Sequence, residues 1–530
     1  MNRLAFAASL LVVAAATPPL HAQDRKDILL VANETGPNML DIHGVGANRP
    51  SYGVAWVAYD RLMTYGRKKL ADGTPSYDYS KLEPELAERW ETAKGGGSVT
   101  FFLRRNAVFH DGTPVTAADV KWSFDRALAM GGFPTFQMAA GSLEQPAQFE
   151  ALDEHTFRVK FLRPDKLTMP DLAVPVASIY NATLAKKHAT ADDPWAATWL
   201  KTNEAGGGAY KVESYRPGQE IVYARFDDWK SGPLPAIKRV IQRDVPSAGN
   251  RRALLLKGDI DMTFELPPKD FSELATEKSK VKVVSTPVEN ALWYVGMNVT
   301  RPPFNSTQVR QAVAYALPYD KLYESALYGR AVKLYGGSNQ PKTTAWPQPH
   351  GYRTDIAKAK ALMKEAGFEN GFETTLSFDL GGATVGEPMA VLIQESLAQI
   401  GIKASINKVP GANWRAALLK KDMPLLLNRF GGWLNYPEYF FFWTYHGQNA
   451  VFNTMSYQNP SLDKIITNAR FAESKPLYDG MVKDMVKVVF DEVPRVPMFQ
   501  PLMDVAMQPN ISGYTYWFHL QPDYRQIVKK

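Results

Sequence analysis

Hydrophobic residues recur at different spacings in different parts of this 530-residue chain. Between residues 237 and 430, short apolar runs alternate with longer stretches in which apolar residues recur every three or four positions. This pattern predicts strands at 237–243, 259–264, 374–378, 403–407 and 425–430, and helices at 247–257, 355–366, 387–400 and 413–421. Such alternation predicts an α/β fold with a largely parallel sheet covered by helices. Residues 77–162 instead resemble successive hairpin strands, which predicts a separate α+β unit.

The apolar run at 425–430 leads into a stretch crowded with aromatic residues, 431–446, with the sequence GGWLNYPEYFFFWTYH. Gly431, Gly432 and Pro437 interrupt it, so the pattern predicts a strand that runs into an aromatic loop. Ligands of α/β proteins usually bind at strand ends, and aromatic side chains with a few polar groups usually line small-molecule pockets. The stretch is therefore either a ligand-binding loop or a part of the core.

The first 22 residues have the pattern of a cleavable secretory signal peptide. Arg3 precedes an apolar run, Pro18 and Pro19 end it, and Ala22 provides a small residue before the expected cleavage point. The chain has no cysteine, which excludes disulfides, cysteine catalysis and the lipid attachment of a lipoprotein. These features predict a soluble protein of the Gram-negative periplasm, with an extracellular location as the alternative.

Length and composition indicate an ordinary globular protein with two or more lobes. Apolar residues make up 45% and charged residues 22% of the chain, and the formal net charge is +7. The basic residues are scattered along the sequence, so their distribution indicates solubility and predicts no nucleic-acid partner.

A block at residues 83–125 contains closely spaced motifs: LAERW, a strand ending in Leu-Arg, then FHDG and A-x-D-V. It resembles the signature of solute-binding proteins that serve the peptide or oligopeptide class of ABC transporters, known as bacterial extracellular solute-binding protein family 5. The matching positions are Leu86, Ala87, Trp90, Leu103, Arg104, Phe109, His110, Asp111, Gly112, Ala117, Asp119 and Val120.

The resemblance implies a periplasmic-binding-protein-like fold of type II, with two large lobes around a ligand cleft and an inserted α+β lobe. After the signal peptide at 1–22, the first lobe would combine residues 23–65, 205–289 and 498–530. The inserted lobe would span 66–204 and the third lobe 290–497. Prolines near residues 287–290 and 494–501 would mark the hinge between the large lobes.

The resemblance also indicates a ligand site. The family binds the ligand ammonium through an aspartate in a W-x-x-D-Y motif, and Trp433, Asn435 and Tyr436 occupy the matching segment here. This segment is one residue shorter and has an amide in place of the acid, and an amide cannot neutralise an ammonium group. Either Glu438 compensates or the cargo lacks a free α-ammonium group.

Other candidates come from the residue types and from family positions near the cleft. Glu34 and Asp41 are weaker candidates for the missing acid, and an arginine would suit a ligand carboxylate. The remaining candidates are Arg429 and Arg415 for that carboxylate, Trp414 for stacking, and Asn298, Tyr52 and Gly53 as matches to family positions.

The sequence lacks the short motifs of the commoner secreted hydrolases. It has no G-x-S-x-G, no H-E-x-x-H and no S-x-x-K followed by K-T-G, and its histidines do not cluster. We therefore expect a non-enzymatic, monomeric receptor without cofactor or metal, which captures a small peptide or peptide-like solute for an ABC permease. The alternatives are a non-peptide cargo (an opine, an oligosaccharide, or a metal or haem complex) and a hydrolase whose triad is dispersed in sequence.

Overall fold

A computed structural model describes residues 25–278, 280–449 and 452–530 of the chain. The predicted signal peptide lies outside these residues. Within the described ranges, none of the helices has both the length and the apolar composition required to cross a bilayer.

Strands and helices follow one another along most of the described chain. The strands are β1 (Ile28–Asn33), β2 (Met63–Lys69), β3 (Pro75–Pro84), β4 (Ala87–Thr92), β5 (Ser98–Leu103), β6 (Phe149–Ala151), β7 (Thr156–Lys160), β8 (Tyr210–Arg216), β9 (Glu220–Arg225), β10 (Arg239–Asp244), β11 (Met262–Phe264), β12 (Lys282–Pro287), β13 (Ala291–Met297), β14 (Ala331–Lys333), β15 (Phe372–Asp379), β16 (Ile402–Val409), β17 (Leu425–Gly431), β18 (Arg495–Met507), β19 (Ile511–Ser512), β20 (Tyr516–Trp517), β21 (Gln521–Pro522) and β22 (Val528–Lys529). The helices are α1 (Arg49–Ala58), α2 (Ala117–Ala129), α3 (Gly132–Ala140), α4 (Thr168–Asp171), α5 (Ala182–Lys186), α6 (Ala197–Leu200), α7 (Ala248–Lys257), α8 (Pro268–Leu274), α9 (Thr307–Ala316), α10 (Tyr319–Lys321), α11 (Ile356–Glu365), α12 (Ala383–Ala398), α13 (Gly411–Lys420), α14 (Pro437–Tyr445), α15 (Pro460–Arg470) and α16 (Lys475–Glu492).

The largest sheet has the spatial order β16, β15, β17, β13, β18, β11, β1, β10, β9 and β8, and β12 and β14 also pair with β18. We call β1, α1 and the elements from β8 to β12 the first half, and the elements from β13 to α16 the second half. Strand β15 is parallel to β16 and β17, and β1 is parallel to β10 and β11. The prediction of a largely parallel sheet is wrong at the centre, where β13 and β18 are antiparallel to their neighbours, and at one edge, where β9 is antiparallel to β8 and β10. The chain enters the second half through β13 and returns through β18, so these two strands must run in opposite directions.

Strand β18 belongs to both halves. Its first residues pair with β13, and its last residues pair with β11 and β12. The other connection between the halves is the short segment 288–290, between β12 and β13. The backbone N–H of Val288 donates to the carbonyl of Pro501 at 3.0 Å. The two connections therefore lie side by side.

A second sheet supports the α+β unit predicted for residues 77–162. Its order is β4, β5, β7 and β6, all antiparallel, and the ring of Phe124 on α2 packs 5.6 Å from that of Phe157 on β7. The FHDG motif joins this unit to the rest of the protein through His110, whose Nδ1 lies 2.7 Å from Glu204 and whose Nε2 lies 3.0 Å from the carbonyl of Gly208. A Cβ atom at Gly206 would lie 1.9 Å from the carbonyl oxygen of Ala58, so only glycine allows this approach.

Residues 431–446 are not a loop throughout. Strand β17 ends at Gly431, and helix α14 begins at Pro437, where the ring's fixed φ angle suits the first helical position. Most side chains of α14 are buried, and a helix buried on all sides lacks the polar face that reveals a helix in sequence. The predicted aromatic loop is therefore wrong beyond residue 436.

Asp41 is a core residue and not a solvated loop acid. The guanidinium of Arg126 donates hydrogen bonds to both of its carboxylate oxygens, at 2.9 and 2.7 Å, and both side chains are fully buried. The hydroxyl of Tyr180 donates a further bond at 2.9 Å. Burial alone would raise the pKa of Asp41, but the charge and hydrogen bonds of Arg126 outweigh it and lower the pKa. This carboxylate therefore has a structural role in the core.

The Asp41→Asn variant should lose about 3–5 kcal/mol of unfolding free energy, because it leaves the Arg126 charge buried without its partner. Urea denaturation at pH 7 measures this loss. The pKa of Asp41 is lowered in the folded state, so the contribution is present above about pH 4 and disappears as the pH falls through the lowered pKa. As a control, Asp479→Asn removes a surface partner of Lys475 and should cost less than about 0.5 kcal/mol. Equal losses of unfolding free energy in the two variants would contradict a buried ion pair between Asp41 and Arg126.

Candidate functional site

The carboxyl ends of parallel strands from both halves of the large sheet border one cavity. Glu34 directly follows β1, and Glu265 directly follows β11. In the second half, Asp379 ends β15, and Arg429 lies near the end of β17. In α/β sheets, ligands usually bind beyond the carboxyl ends of the strands, at the point where the connections between strands reverse direction. The sheet topology therefore places charged side chains of both halves around the same space.

The cavity has a volume of about 530 Å³, within the range that is typical of small-molecule sites. Residues of α1 and α13 complete its lining. Its aromatic lining includes Trp293, Trp414 and Phe452. Its charged side chains are Glu34, Arg49, Glu265, Arg330, Asp379, Arg415, Arg429 and Asp504.

Three arginines of the cavity have no carboxylate partner among the described residues, and two of them lie near aromatic rings. The guanidinium carbon of Arg429 lies 5.8 Å from the ring centre of Trp293, its cross-strand neighbour, and that of Arg415 lies 5.9 Å from Phe452. Among the described residues, neither of them nor Arg49 forms a salt bridge. Arg429 is open to the solvent of the cavity, yet burial by the surrounding protein and the positive charge of Arg49 lower its pKa to about 10.

Two acids lie at the ends of neighbouring strands in the first half. The backbone N–H of Glu34 donates to a carboxylate oxygen of Glu265 at 3.3 Å. Burial, followed by the negative charge of Glu265, raises the pKa of Glu34. Glu265 has φ 60°, a left-handed conformation that costs roughly 1 kcal/mol or more in a residue with a side chain. The cavity can therefore contact both cationic and anionic groups of a ligand.

The sequence matches the family model described as bacterial extracellular solute-binding proteins, family 5, over residues 81–452. The chain belongs to this family. The family's description names its members as solute-binding proteins, and the cavity has the size and position that are typical of a small-molecule site. Among its described residues, no group of three His, Cys, Asp or Glu side chains is placed to hold a metal ion.

Named relatives support the family assignment over the whole length of the chain. The solute-binding protein is 28% identical to a probable D,D-dipeptide-binding periplasmic protein of Escherichia coli over 509 residues, covering 96% of this chain and 95% of that protein. It is 27% identical to a heme-binding protein of Haemophilus influenzae, covering 90% and 86% of the two chains. Its fold is similar to that of a periplasmic binding protein from Helicobacter pylori solved in complex with a peptide, with a TM-score of 0.79, 21% identity and coverage of 95% and 98%.

The structure brings three of the predicted site residues together at the cavity. Gly53 reaches it from α1, Trp414 from α13 and Arg429 from β17. Glu34, a weaker candidate for the missing acid, and Arg415, the other candidate for the ligand carboxylate, also line it.

Trp433 and Tyr52 pack against each other outside this lining, with their ring centres 5.0 Å apart. The ring of Trp433 also lies 4.7 Å from Phe133, and only 4% of this tryptophan is exposed. Tyr52 lies on α1 of the first half and Phe133 on α3, so Trp433 joins the second half to both. It has the surroundings of a core residue.

The other predicted residues also lie outside the cavity lining. Glu438 is buried in α14, accepts a hydrogen bond from the hydroxyl of Tyr478 at 2.7 Å, and has its pKa raised by burial. Asn298 is fully buried and donates to the carbonyl of Lys421 at 2.8 Å. Asn435 and Tyr436 are half-buried in the turn before α14, and the ring of Tyr436 lies 5.9 Å from that of Tyr79.

Sequence reasoning missed Arg49, Glu265 and Trp293. Arg49 is the first residue of α1, where Asn48 caps the helix and Pro50 follows at its second position. An N-cap residue followed by proline is a recognisable start signal for a helix. Glu265 could have been found by applying the strand-end rule to the predicted strand at 259–264.

The Trp433→Ala variant should lose about 3–5 kcal/mol of unfolding free energy without ligand, since it empties a buried site between the halves. Urea denaturation of the ligand-free protein measures the loss. Trp433→Phe keeps most of the aromatic packing and serves as the matched control. An unchanged midpoint for Trp433→Ala would show that this side chain does not pack in the interface.

Proposed function

We propose that this solute-binding protein is the periplasmic receptor of an ABC importer and captures a small peptide or peptide-like solute. The supporting observation is the cavity at strand ends that belong to both halves of the sheet. A ligand in this cavity contacts both halves and so stabilises their closed arrangement. The inner-membrane permease then receives the solute from the closed receptor, and the protein itself catalyses no reaction.

The proposed lobes agree with the two connections between the halves. The first lobe combines residues 23–65, 205–289 and 498–530, the inserted lobe spans 66–204, and the third lobe spans 290–497. The hinge is formed by residues 288–290 and the middle of β18. We propose that the mature protein, released by cleavage after residue 22 and without a lipid anchor, acts as a monomer.

Contacts outside the cavity favour the closed arrangement. The hydroxyl of Tyr439 donates to the side-chain oxygen of Gln137 at 2.7 Å, and Arg470 forms a salt bridge with Asp165 at 2.6 Å. Both pairs join the third lobe to the inserted lobe. Trp433, Tyr52, Asn435 and Tyr436 act near this interface, and we propose that they influence binding through closure.

A non-peptide cargo is the second candidate. Asn435 supplies an amide where the family pattern has an acid, and one relative is named as a heme-binding protein. A cargo without a free α-ammonium group would not need that acid. Opines, oligosaccharides and metal or haem complexes belong to this class.

The receptor should be stabilised by a bound peptide and should release it unchanged. Alanyl-alanine at 100 times its Kd should raise the unfolding free energy by about 2.7 kcal/mol. Differential scanning calorimetry measures the shift, and mass spectrometry of the incubated peptide checks for hydrolysis. Accumulation of free alanine would contradict the receptor function. If the peptide did not stabilise the protein, a non-peptide cargo would be favoured.

The Glu265→Gln variant should bind alanyl-alanine about tenfold or more weakly, because it removes a charged partner of the ligand ammonium. Glu438→Gln is the matched control, since its buried carboxylate contacts Tyr478 and does not line the cavity. Its Kd should stay within about twofold of the wild-type value. Isothermal titration calorimetry compares the two variants. A larger loss in Glu438→Gln would restore Glu438 as the substitute for the family's aspartate.

A further inference from the structure

The carboxylates and the guanidinium groups of the cavity differ in their partners. Each of the four carboxylates that line it has a partner within the protein. The contacts are Asp504 with Arg330 at 3.0 Å, Asp379 with the backbone N–H of Gly381 at 2.8 Å, Glu34 with Arg251 at 3.9 Å, and Glu265 with the backbone N–H of Glu34 at 3.3 Å.

Three of the four cavity arginines lack such a partner. Within the described part of the chain, Arg49, Arg415 and Arg429 neither form a salt bridge nor donate a side-chain hydrogen bond. Arg49 belongs to the first half of the protein, whereas Arg415 and Arg429 belong to the second. Closure around a ligand removes the water that solvates these groups, and a guanidinium that loses water without gaining an anion is strongly disfavoured.

The electrostatics of these residues agree with an open anion site. Burial and the charge of Arg49 act together on Arg429 and disfavour its charged form, and burial also lowers the pKa of Arg49. The partial neutralisation that Glu265 provides is weaker than these effects. A negative group from outside the protein would relieve the repulsion between the two arginines.

We infer that the cavity selects a solute with at least two carboxylate-type groups, which the unpaired guanidinium groups of Arg49, Arg415 and Arg429 neutralise. One carboxylate supplies a single negative charge against three guanidinium groups, so a second carboxylate neutralises more of the positive charge that closure desolvates. This inference deepens the proposed function by naming the charge class of its cargo. The acidic pair Glu34 and Glu265 remains available for a cationic group of the same solute.

Two pairs of probes test the charge class. Glutarate and butyrate are of similar size but differ by one carboxylate, and alanyl-glutamate and alanyl-alanine differ in the same way as peptides. Isothermal titration calorimetry at low salt should give a Kd at least about tenfold lower for the dianionic member of each pair, the effect of one additional charged hydrogen-bonded contact. The variants Arg49→Gln, Arg415→Gln and Arg429→Gln should each reduce this preference.

Two controls separate charge from stability. Arg89→Gln removes an exposed arginine outside the cavity and should keep the full preference. Arg429→Lys keeps the positive charge and should retain part of the preference, even if Arg429→Gln folds poorly.

The outcomes distinguish the inference from the proposed function. A preference for glutarate without any peptide binding would support the inference and contradict a peptide cargo. Equal affinity for the two peptides, or for glutarate and butyrate, would overturn the inference, and peptide binding would still support the receptor. Failure of glutarate to bind would also overturn the inference.

Discussion

The continuous hydrogen bonding of β18 to both halves of the large sheet constrains everything else in this protein. Because β18 pairs with β13 at one end and with β11 and β12 at the other, the halves cannot separate at this line without breaking strand pairing. The segment 288–290 crosses beside it. In the proposed hinge, motion between the halves is a rotation about the line of these two connections.

In the proposed receptor, charge would determine what the cavity recognises more than shape does. Its aromatic side chains provide walls, but they would accept many solutes of suitable size. The arginines without a carboxylate partner among the described residues would be more selective, since each of them requires an opposite charge in the ligand. The family pattern has an acid where this chain has Asn435. In this chain several charged groups of the cavity lie at strand ends instead.

Sequence reasoning recovered the family, the α/β class, and strands β15–β17 and helices α11–α13 of the second half, because these depend on local pattern and on twelve spaced positions. It missed α14, whose burial on all sides leaves no helical periodicity. It selected Trp433 and Glu438 by proximity to a motif, whereas the cavity is assembled from residues distant in sequence, such as Arg49, Glu265 and Arg429. Strand pairing places Glu265 and Arg429 at the cavity, helix α1 places Arg49 there, and no local pattern records this arrangement.

The contacts of Tyr439 with Gln137 and of Arg470 with Asp165 have a kinetic consequence. They join α14 and α15 to α3 and to the segment after β7, outside the cavity lining, so they do not depend on the identity of the solute. In the proposed hinge closure, each contact would deepen the closed state and slow reopening, and the time for which a solute remains bound follows the reopening rate. The residence time of the cargo would then be set in part by residues that never touch it, and evolution could tune it without altering which solutes are recognised.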